Sequence, residues 1–453
     1  MPVPDMVDVA IVGSGMSGSA VGAELTRLGA DYVVLEAGPD AGLAHVGAAA
    51  TTARWSDPAL DPWFRPFFDR LDATVYPATS GYRVRVGGRS LYWRGICFRI
   101  EPPAWAAWPA GIREPLLAAG GLYAQLEEEL TRWTGRESLR APRTSAELSW
   151  VARLTAAGFD ATPTPRAIRL LPGDRWEAYS PARRVPRDRV RAGRPVTAIR
   201  PGRGDSFRLE TGGGTRPVAA RKVVLCAGVF GNLRLVTRLL HDAAAVRAGP
   251  AFRVTDHLAC GILLSSAVAG EERMDSSVHA GFHAAECSNV VVESAPDGAG
   301  TMVDIWAMGE QPPESALEVS FPEGTERIAW DREGRARIRR RHEDQRTLLG
   351  TIAERLGLKV AGLDRPARYA AARALARRRP GQGICYQVDF GELDHESGGL
   401  ALGGDRVDLA GRLRHVDGVF VAGPCLFPRA GAANPTLTTL ALARHVARQV
   451  AES

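Results

Sequence analysis

A chain of 453 residues is too long for one ordinary core, so two or three domains are expected. Its 45% apolar and 24% charged residues are those of a folded globular protein, and no run reaches the roughly 18 apolar residues that a membrane helix needs. The net charge of +6 rests on arginine, since Lys222 and Lys359 are the only lysines, and the densest run, RARIRRRHEDQR at 335–346, is broken by acids without aromatics, which argues against a nucleic-acid partner.

The start, MPVPDMVDVAIVG, has no basic n-region ahead of its apolar run, so the expected location is cytoplasmic. Cysteines at 97, 226, 260, 287, 385 and 425 form no CxxC pair and no metal-like spacing. Buried free thiols are expected, with neither a disulfide framework nor a zinc site.

The first element is a strand, VDVAIVG, which turns through SGMSG into an amphipathic helix, SAVGAELTRLG, and then a second strand, DYVVLEAG. This is a βαβ unit with a right-handed crossover, hence a parallel sheet. GSGMSG at 13–18 fits GxGxxG, and Glu36 closes the second strand beside Ala37. Gly13 permits the tight turn, Gly15 lets backbone approach a pyrophosphate, and Gly18 lets helix pack on strand. Met16 and Ser17 open the helix, where free N–H groups and the helix dipole favour an anion, and Glu36 is placed to accept hydrogen bonds from an adenosine ribose.

From 50 to 80, Trp, Pro and other aromatics dominate without periodicity, and irregular structure or short helices are expected before the glycine turn VGGRSLYWRG. Residues 106–185 read as helices and loops. A β-meander follows (PVTAIRPG, SFRLETGGGTR, ARKVVLCAG), ending in a buried strand, and strand-like runs continue from 250 to 330 as CGILLSSAV, SNVVVES, MVDIWAMG and SALEVSF. Helical segments occupy 340–379. From His395 onward the chain returns to strand (GVFVAG), loop and a final helix, with Asn434 read as its cap and Pro435 as its first position.

The glycine motif alone does not choose between NAD and FAD. Three features favour FAD: the βαβ unit is not continued locally and its next buried strand, KVVLCAG, comes only at 222–228; no second GxGxxG follows a strand; and the C-terminal strand, loop and helix start offer a second place to hold an anionic ring system. The expected fold is α/β, a Rossmann-like FAD-binding domain with a second α+β substrate domain built on an antiparallel sheet. The FAD domain is assigned 1–105, 186–250 and 395–453, and the substrate domain 106–185 and 251–394.

With these segments in order, the chain resembles the glucose-methanol-choline (GMC) oxidoreductases, in particular the pyranose-oxidase-like and short bacterial members. GSGMSG with LEAG matches their FAD signature, and GGRSLYW at 87–93 resembles their flavin-contact loop. VVLCAGVFGNLRLV at 223–236 is similar to the segment after their β-meander, RVTDHL at 253–258 to the entry to their substrate domain, and GEQPPESALEVSF at 309–321 to a substrate-sheet strand. HESGGLALG at 395–403 and GAANPTLT at 431–438 resemble the paired C-terminal motifs. The resemblance implies His395 and Asn434 as catalytic residues. It adds Gly88, Ser90, Val196, Ala227, Gly228, Gly423, Pro435 and Thr436 to the expected FAD contacts. Tyr92 stands where some members attach FAD to a histidine, so non-covalent FAD is expected. Ala401 and Leu402 replace a frequent Arg-Met pair, and Gly423 and Pro424 replace a frequent Asp.

Alcohol oxidation removes a proton from oxygen and a hydride from carbon. The flavin takes the hydride, a neutral imidazole suits the proton, and an amide beside it orients the hydroxyl and stabilises developing alkoxide charge. The implied activity is oxidation of a hydroxyl on a sugar, glycoside, aminoglycoside or other secondary metabolite, with O2 or a separate carrier as acceptor. Alternatives are a flavin desaturase or oxidative cyclase, a non-catalytic flavoprotein, and a nicotinamide dehydrogenase. Among the other histidines, His257 reads as a structural residue joining the domains; His279 and His283 have the spacing of ligands on one helix face but lack a third partner, so no metal is expected; His342, His415 and His445 read as surface residues. Asp389, Glu392, Asp394 and Glu396 around His395 read as loop charges or, alternatively, as a pocket wall favouring a cationic substrate.

Overall fold

Strand β1 (Met6–Val12), helix α1 (Met16–Arg27) and strand β2 (Tyr32–Leu35) form the expected βαβ unit. The C-terminal half of β1 and the whole of β2 are buried, as near-continuous apolar runs in a parallel sheet require. The computed structural model describes residues 6–46, 61–68, 76, 79–172, 175–242, 251–266, 276–297, 300–322, 327–330, 332–361, 382–388 and 390–453. Most of the aromatic stretch at 50–80, the expected helix beyond 361 and Asp389 lie outside these residues.

After α2 (Leu122–Thr134) and α3 (Ser145–Ala156) come the short strand β3 (Val190–Arg191), the meander β4 (Val196–Pro201), β5 (Phe207–Thr211) and β6 (Val218–Leu225), and helix α4 (Gly228–Asp242). Then follow β7 (His257–Ser266), β8 (Ser276–His283), β9 (Ser288–Asp297), β10 (Gly300–Glu310), α5 (Arg332–Arg355), β11 (Lys359–Ala361) and β12 (Gln382–Gln387). Strand β13 (Val419–Val421) and helix α6 (Thr436–Glu452) close the chain.

The first sheet has the order β3-β2-β1-β6-β5-β4, with β13 added to the C-terminal half of β6. β1 pairs parallel with both β2 and β6, so its C-terminal end meets those of β2, β6 and β13 at one edge. That edge is where ligands sit in open parallel sheets. The second sheet runs β11-β12-β7-β10-β9-β8 and ends on Thr162–Pro163. It is antiparallel except for the β11–β12 pair. The α/β plus antiparallel α+β architecture therefore agrees with the expectation from sequence.

Packing changes sides within the central helices. α2 joins the first sheet's core, with Tyr123 bonded to Thr438 of α6 at 2.7 Å. On the other side, Leu154 of α3 is buried with Val278, Val290 and Ile305 of the second sheet. The apolar stripe of each helix is visible in sequence, but not which sheet it meets.

Three local expectations are corrected. SALEVSF is not part of the large substrate sheet: Pro312 and the turn Pro313–Ser315 break the chain after β10, and Leu317–Ser320 pairs with Phe252–Thr255 in a separate sheet of 4 strands. His279 and His283 share a strand, β8, rather than a helix face, and a register shift lies between His279 and Phe282. His342 is buried on α5 against Cys260, at 3.4 Å from its sulfur, because that face of the Arg-rich helix covers β7.

Candidate active site

The edge of the first sheet and the inner face of the second enclose a cavity of about 750 Å³. Of the residues named from sequence, Gly13, Gly15, Met16, Ser17, Glu36, Ala37, Gly88, Val196, Ala227, Gly228, His395, Asn434, Pro435 and Thr436 line it.

The three motif glycines have separate jobs. A Cβ on Gly13, which sits at φ +100°, would lie 2.6 Å from the Cys226 carbonyl oxygen, and one on Gly18 would lie 1.9 Å from the Gly13 carbonyl oxygen. These two let α1 pack against the ends of β1 and β6, and Gly18 lies behind the cavity wall. A Cβ on Gly15 would meet nothing within 4 Å. Gly15 is also the N-cap of α1 and supplies no side-chain cap, so its first N–H groups are left to a ligand.

Glu36 is more heavily engaged than its place at the strand end suggests. One oxygen accepts from Ser14 N at 2.9 Å and Ser14 Oγ at 2.6 Å, and the other accepts from Gly38 N at 2.8 Å. Burial raises its pKa and these donors oppose the rise. Ser14 Oγ in turn accepts from Gly87 N at 3.0 Å, tying the glycine loop to the GGRSLYW loop. Ser90 serves that second loop from behind the wall, bonding Gly87 O and Ser180 Oγ at 2.6 Å each. Gly423 also lies behind the wall, with its neighbour Pro424 at the cavity. Tyr92 lines the cavity; burial pushes its phenol up to about 12, which keeps it protonated.

The same cavity is lined by His395 and Asn434, which are 39 residues apart in sequence. Asn434 is not the cap of α6: Pro435 holds the N-cap position, and no side chain caps that helix. Its amide is therefore released from local duty, and Oδ1 is buried without a hydrogen-bond partner among the described residues. The loop carrying it is fastened from outside. Glu310 accepts from Gly431 N at 3.1 Å and pairs with Arg429 at 2.7 Å. Glu101 accepts from Ala432 N at 2.9 Å and from Asn289, while Trp108 donates to Arg429 O at 3.0 Å.

His395 follows Asp394, a non-glycine residue at φ +58°, a left-handed turn that aspartate tolerates better than most. Its Nδ1 lies 3.0 Å from Nδ1 of His257, and His257 Nε2 is 2.8 Å from Gly431 O. Burial pushes the His395 pKa well below the usual imidazole value, and His257 and Arg89 push it the same way. His395 is therefore a neutral imidazole across the physiological range.

Glu392, Asp394 and Glu396 reach the cavity, and an arginine absent from the expected site answers the last two. Arg89 donates to Glu396 at 2.7 Å and lies 3.6 Å from Asp394. Glu392 accepts from Thr79 at 2.8 Å. Opposite them, Arg94 pairs with Glu293 at 3.3 Å, and Trp93, Trp306, Met308, Tyr386 and Val388 give the wall an aromatic and apolar character. Ser14, Arg89, Glu101, Asn289 and Glu310 are the residues that sequence reading passes over. None of them carries a local motif that marks it, although Ser14 and Arg89 sit inside glycine loops, and Glu310 inside GEQPPESALEVSF, that are singled out for other reasons.

Residues 8–255 match the family model described as FAD dependent oxidoreductase, and residues 327–443 match that of GMC oxidoreductase. No curated protein matches the chain. Among solved structures, pyridoxine 4-oxidase from Mesorbium loti is similar with a TM-score of 0.60 and 19% identity, covering 98% of this chain and 99% of that one, a likeness of fold. FAD is the cofactor these family matches carry, and the residues present fit it: an open glycine cradle at Gly15, helix starts at α1 and α6 without side-chain caps, and a cavity running between them.

Proposed function

The chain belongs to the GMC oxidoreductases, FAD-dependent enzymes that oxidise alcohols, and we propose that it converts a hydroxyl of a sugar, glycoside or other secondary metabolite to the carbonyl, with His395 as the base. The observation supporting this reading is that His395 and Asn434 line the same cavity as Gly13, Gly15, Met16 and Ser17 of the glycine loop.

FAD, when bound, supplies the hydride acceptor that no side chain can provide. His395 accepts the hydroxyl proton at its free ring nitrogen, since its depressed pKa keeps that nitrogen unprotonated. The Asn434 amide, unengaged by its own helix, orients the substrate oxygen and stabilises the charge that grows on it. Gly13, Gly15, Met16, Ser17, Glu36 and Ala37 hold the dinucleotide end, and Gly88, Ala227, Gly228, Pro435 and Thr436 line the path to the catalytic end. With Tyr92 in place of a histidine, FAD is held without a covalent bond.

The test is an absorption spectrum of the purified protein, repeated without oxygen in the presence of sugars, amino sugars, aliphatic alcohols and pyridoxine. Flavin bands that leave with the supernatant on acid precipitation, and that bleach with one alcohol, are the expected result. A protein that takes up FAD but is bleached by no alcohol, while a substrate with an activated C–H bond bleaches it, would transfer the assignment to desaturation.

A further inference from the structure

His257 sits in the RVTDHL segment, where a structural role is sufficient to explain a buried histidine. Its surroundings say more. Gly431 O can only accept, so the 2.8 Å contact requires the proton of His257 to be on Nε2. A neutral His257 then has a bare Nδ1, and the 3.0 Å contact from His395 Nδ1 can be a hydrogen bond only if His395 carries its own proton there. The rings stand at 89° with centroids 5.0 Å apart, so this is an edge contact through nitrogen rather than a stack.

We infer that His257 is a positioning residue: by accepting the Nδ1–H of His395 it fixes that ring in the tautomer whose Nε2 is a lone pair available to a substrate hydroxyl. This rests on the reading of His395 as the base. In the opposite tautomer Nε2 would carry the proton and could only donate to the substrate oxygen.

Two conditions support the assignment. His257 is 1% exposed, and burial lowers its pKa to about 4, so it does not protonate and reverse the direction of the bond near neutral pH. The ionisable groups nearby are engaged elsewhere: Arg89 with Glu396 and Asp394, Glu310 with Arg429, and Asp256, whose pKa burial raises to about 8, with the Tyr76 hydroxyl at 2.8 Å and the His257 backbone N–H at 2.7 Å. Among the described residues neither imidazole has a hydrogen-bonded carboxylate, and no protein group bonds His395 Nε2. An imidazole thus takes the orienting role that a carboxylate plays in a hydrolase triad, without a negative charge that would raise the pKa of the base.

The chain of contacts also connects the two catalytic side chains. Gly431, which receives the His257 proton, lies in the loop that presents Asn434, so one imidazole sets the tautomer of His395 and braces the backbone leading to Asn434.

The test uses the FAD-loaded enzyme with 15N-labelled histidine, resonances being assigned from single-histidine variants. The expected spectrum has His395 protonated at Nδ1 and bare at Nε2. His257→Phe and His257→Asn are then compared. Both lose the donor to Gly431, but only the asparagine keeps an acceptor where Nδ1 was, so their difference isolates the acceptor. The phenylalanine variant is expected to lose about 10- to 100-fold in kcat with KM little changed and to show mixed His395 tautomers, while the asparagine variant recovers most of the rate. A wild-type His395 protonated at Nε2 overturns the inference even if no variant folds, and equal losses in the two variants overturn it in favour of simple loop support. Failure of the base assignment reads out separately, as undiminished turnover in His395→Ala with the wild-type tautomer still at Nδ1.

Discussion

Two small-residue loops feed the cavity, and they are built on opposite plans. The Gly13–Gly18 loop is shaped mainly by backbone sterics: Gly13 and Gly18 sit where a Cβ would strike neighbouring backbone, and apart from the Gly87 N–H on Ser14 the loop packs on its own βαβ unit and the end of β6. The 429–434 loop is shaped by imported hydrogen bonds, from Glu101, Trp108, His257, Asn289 and Glu310. Both loops lead into a helix whose N-terminus has no side-chain cap. Close approach of backbone is written in residue type, whereas bracing by distant polar groups is not.

The largest expected effect separates the glycines within the first loop. Gly18→Ala places a methyl against the Gly13 carbonyl, which has no room to move, and is expected to cost roughly 3–5 kcal/mol or prevent folding. Gly15→Ala faces open space and should fold with an unchanged melting temperature but retain less FAD after gel filtration. Equal melting temperatures for the two variants would break the steric account of this loop.

At the other end, His395→Ala is expected to lower kcat by about 10²–10⁴-fold, and Asn434→Ala by about 10²-fold, with FAD retained in both. Little loss in Asn434→Ala alone would point to chemistry that needs no hydroxyl to be oriented. Because burial, His257 and Arg89 all depress the His395 pKa, its basic form survives below the ordinary imidazole pKa of about 6.5. The acid limb of kcat/KM should therefore lie below that value.

Glu310→Gln sharpens the contrast between the two loops. It removes the charge partner of Arg429 without changing any residue at the cavity wall, and is expected to destabilise the protein by about 2 kcal/mol and lower kcat several-fold by loosening Asn434. Activity and melting temperature both unchanged would mean that the loop holds its shape by itself. The smallest effect belongs to Glu392→Gln: this carboxylate is bonded to Thr79 at the exposed rim, so KM values for neutral and amine-bearing alcohols should shift together by less than about twofold. A loss confined to amine-bearing alcohols would instead assign the acids a role in choosing a cationic substrate.

The first βαβ unit, the meander and the strand-rich second sheet were legible because period-2 and period-3.6 patterns report local geometry. The capping expectation for Asn434 fails for the same reason: Asn-Pro before an apolar helix is a sound local signal, yet Pro435 takes the cap position and the Asn434 amide oxygen has no hydrogen-bond partner among the described residues. His257 carried no chemical signal at all in RVTDHL. Its partner lies 138 residues onward and the carbonyl it binds 174 residues onward.

By itself, then, the sequence determined the dinucleotide cradle and the sheet types, since turn sterics and side-chain periodicity act over a few residues. His395, Asn434 and the bracing of their loops came together only in the tertiary structure. Hydrogen bonds between side chains distant in sequence depend on how two sheets face each other, and the residue types alone carry no record of that.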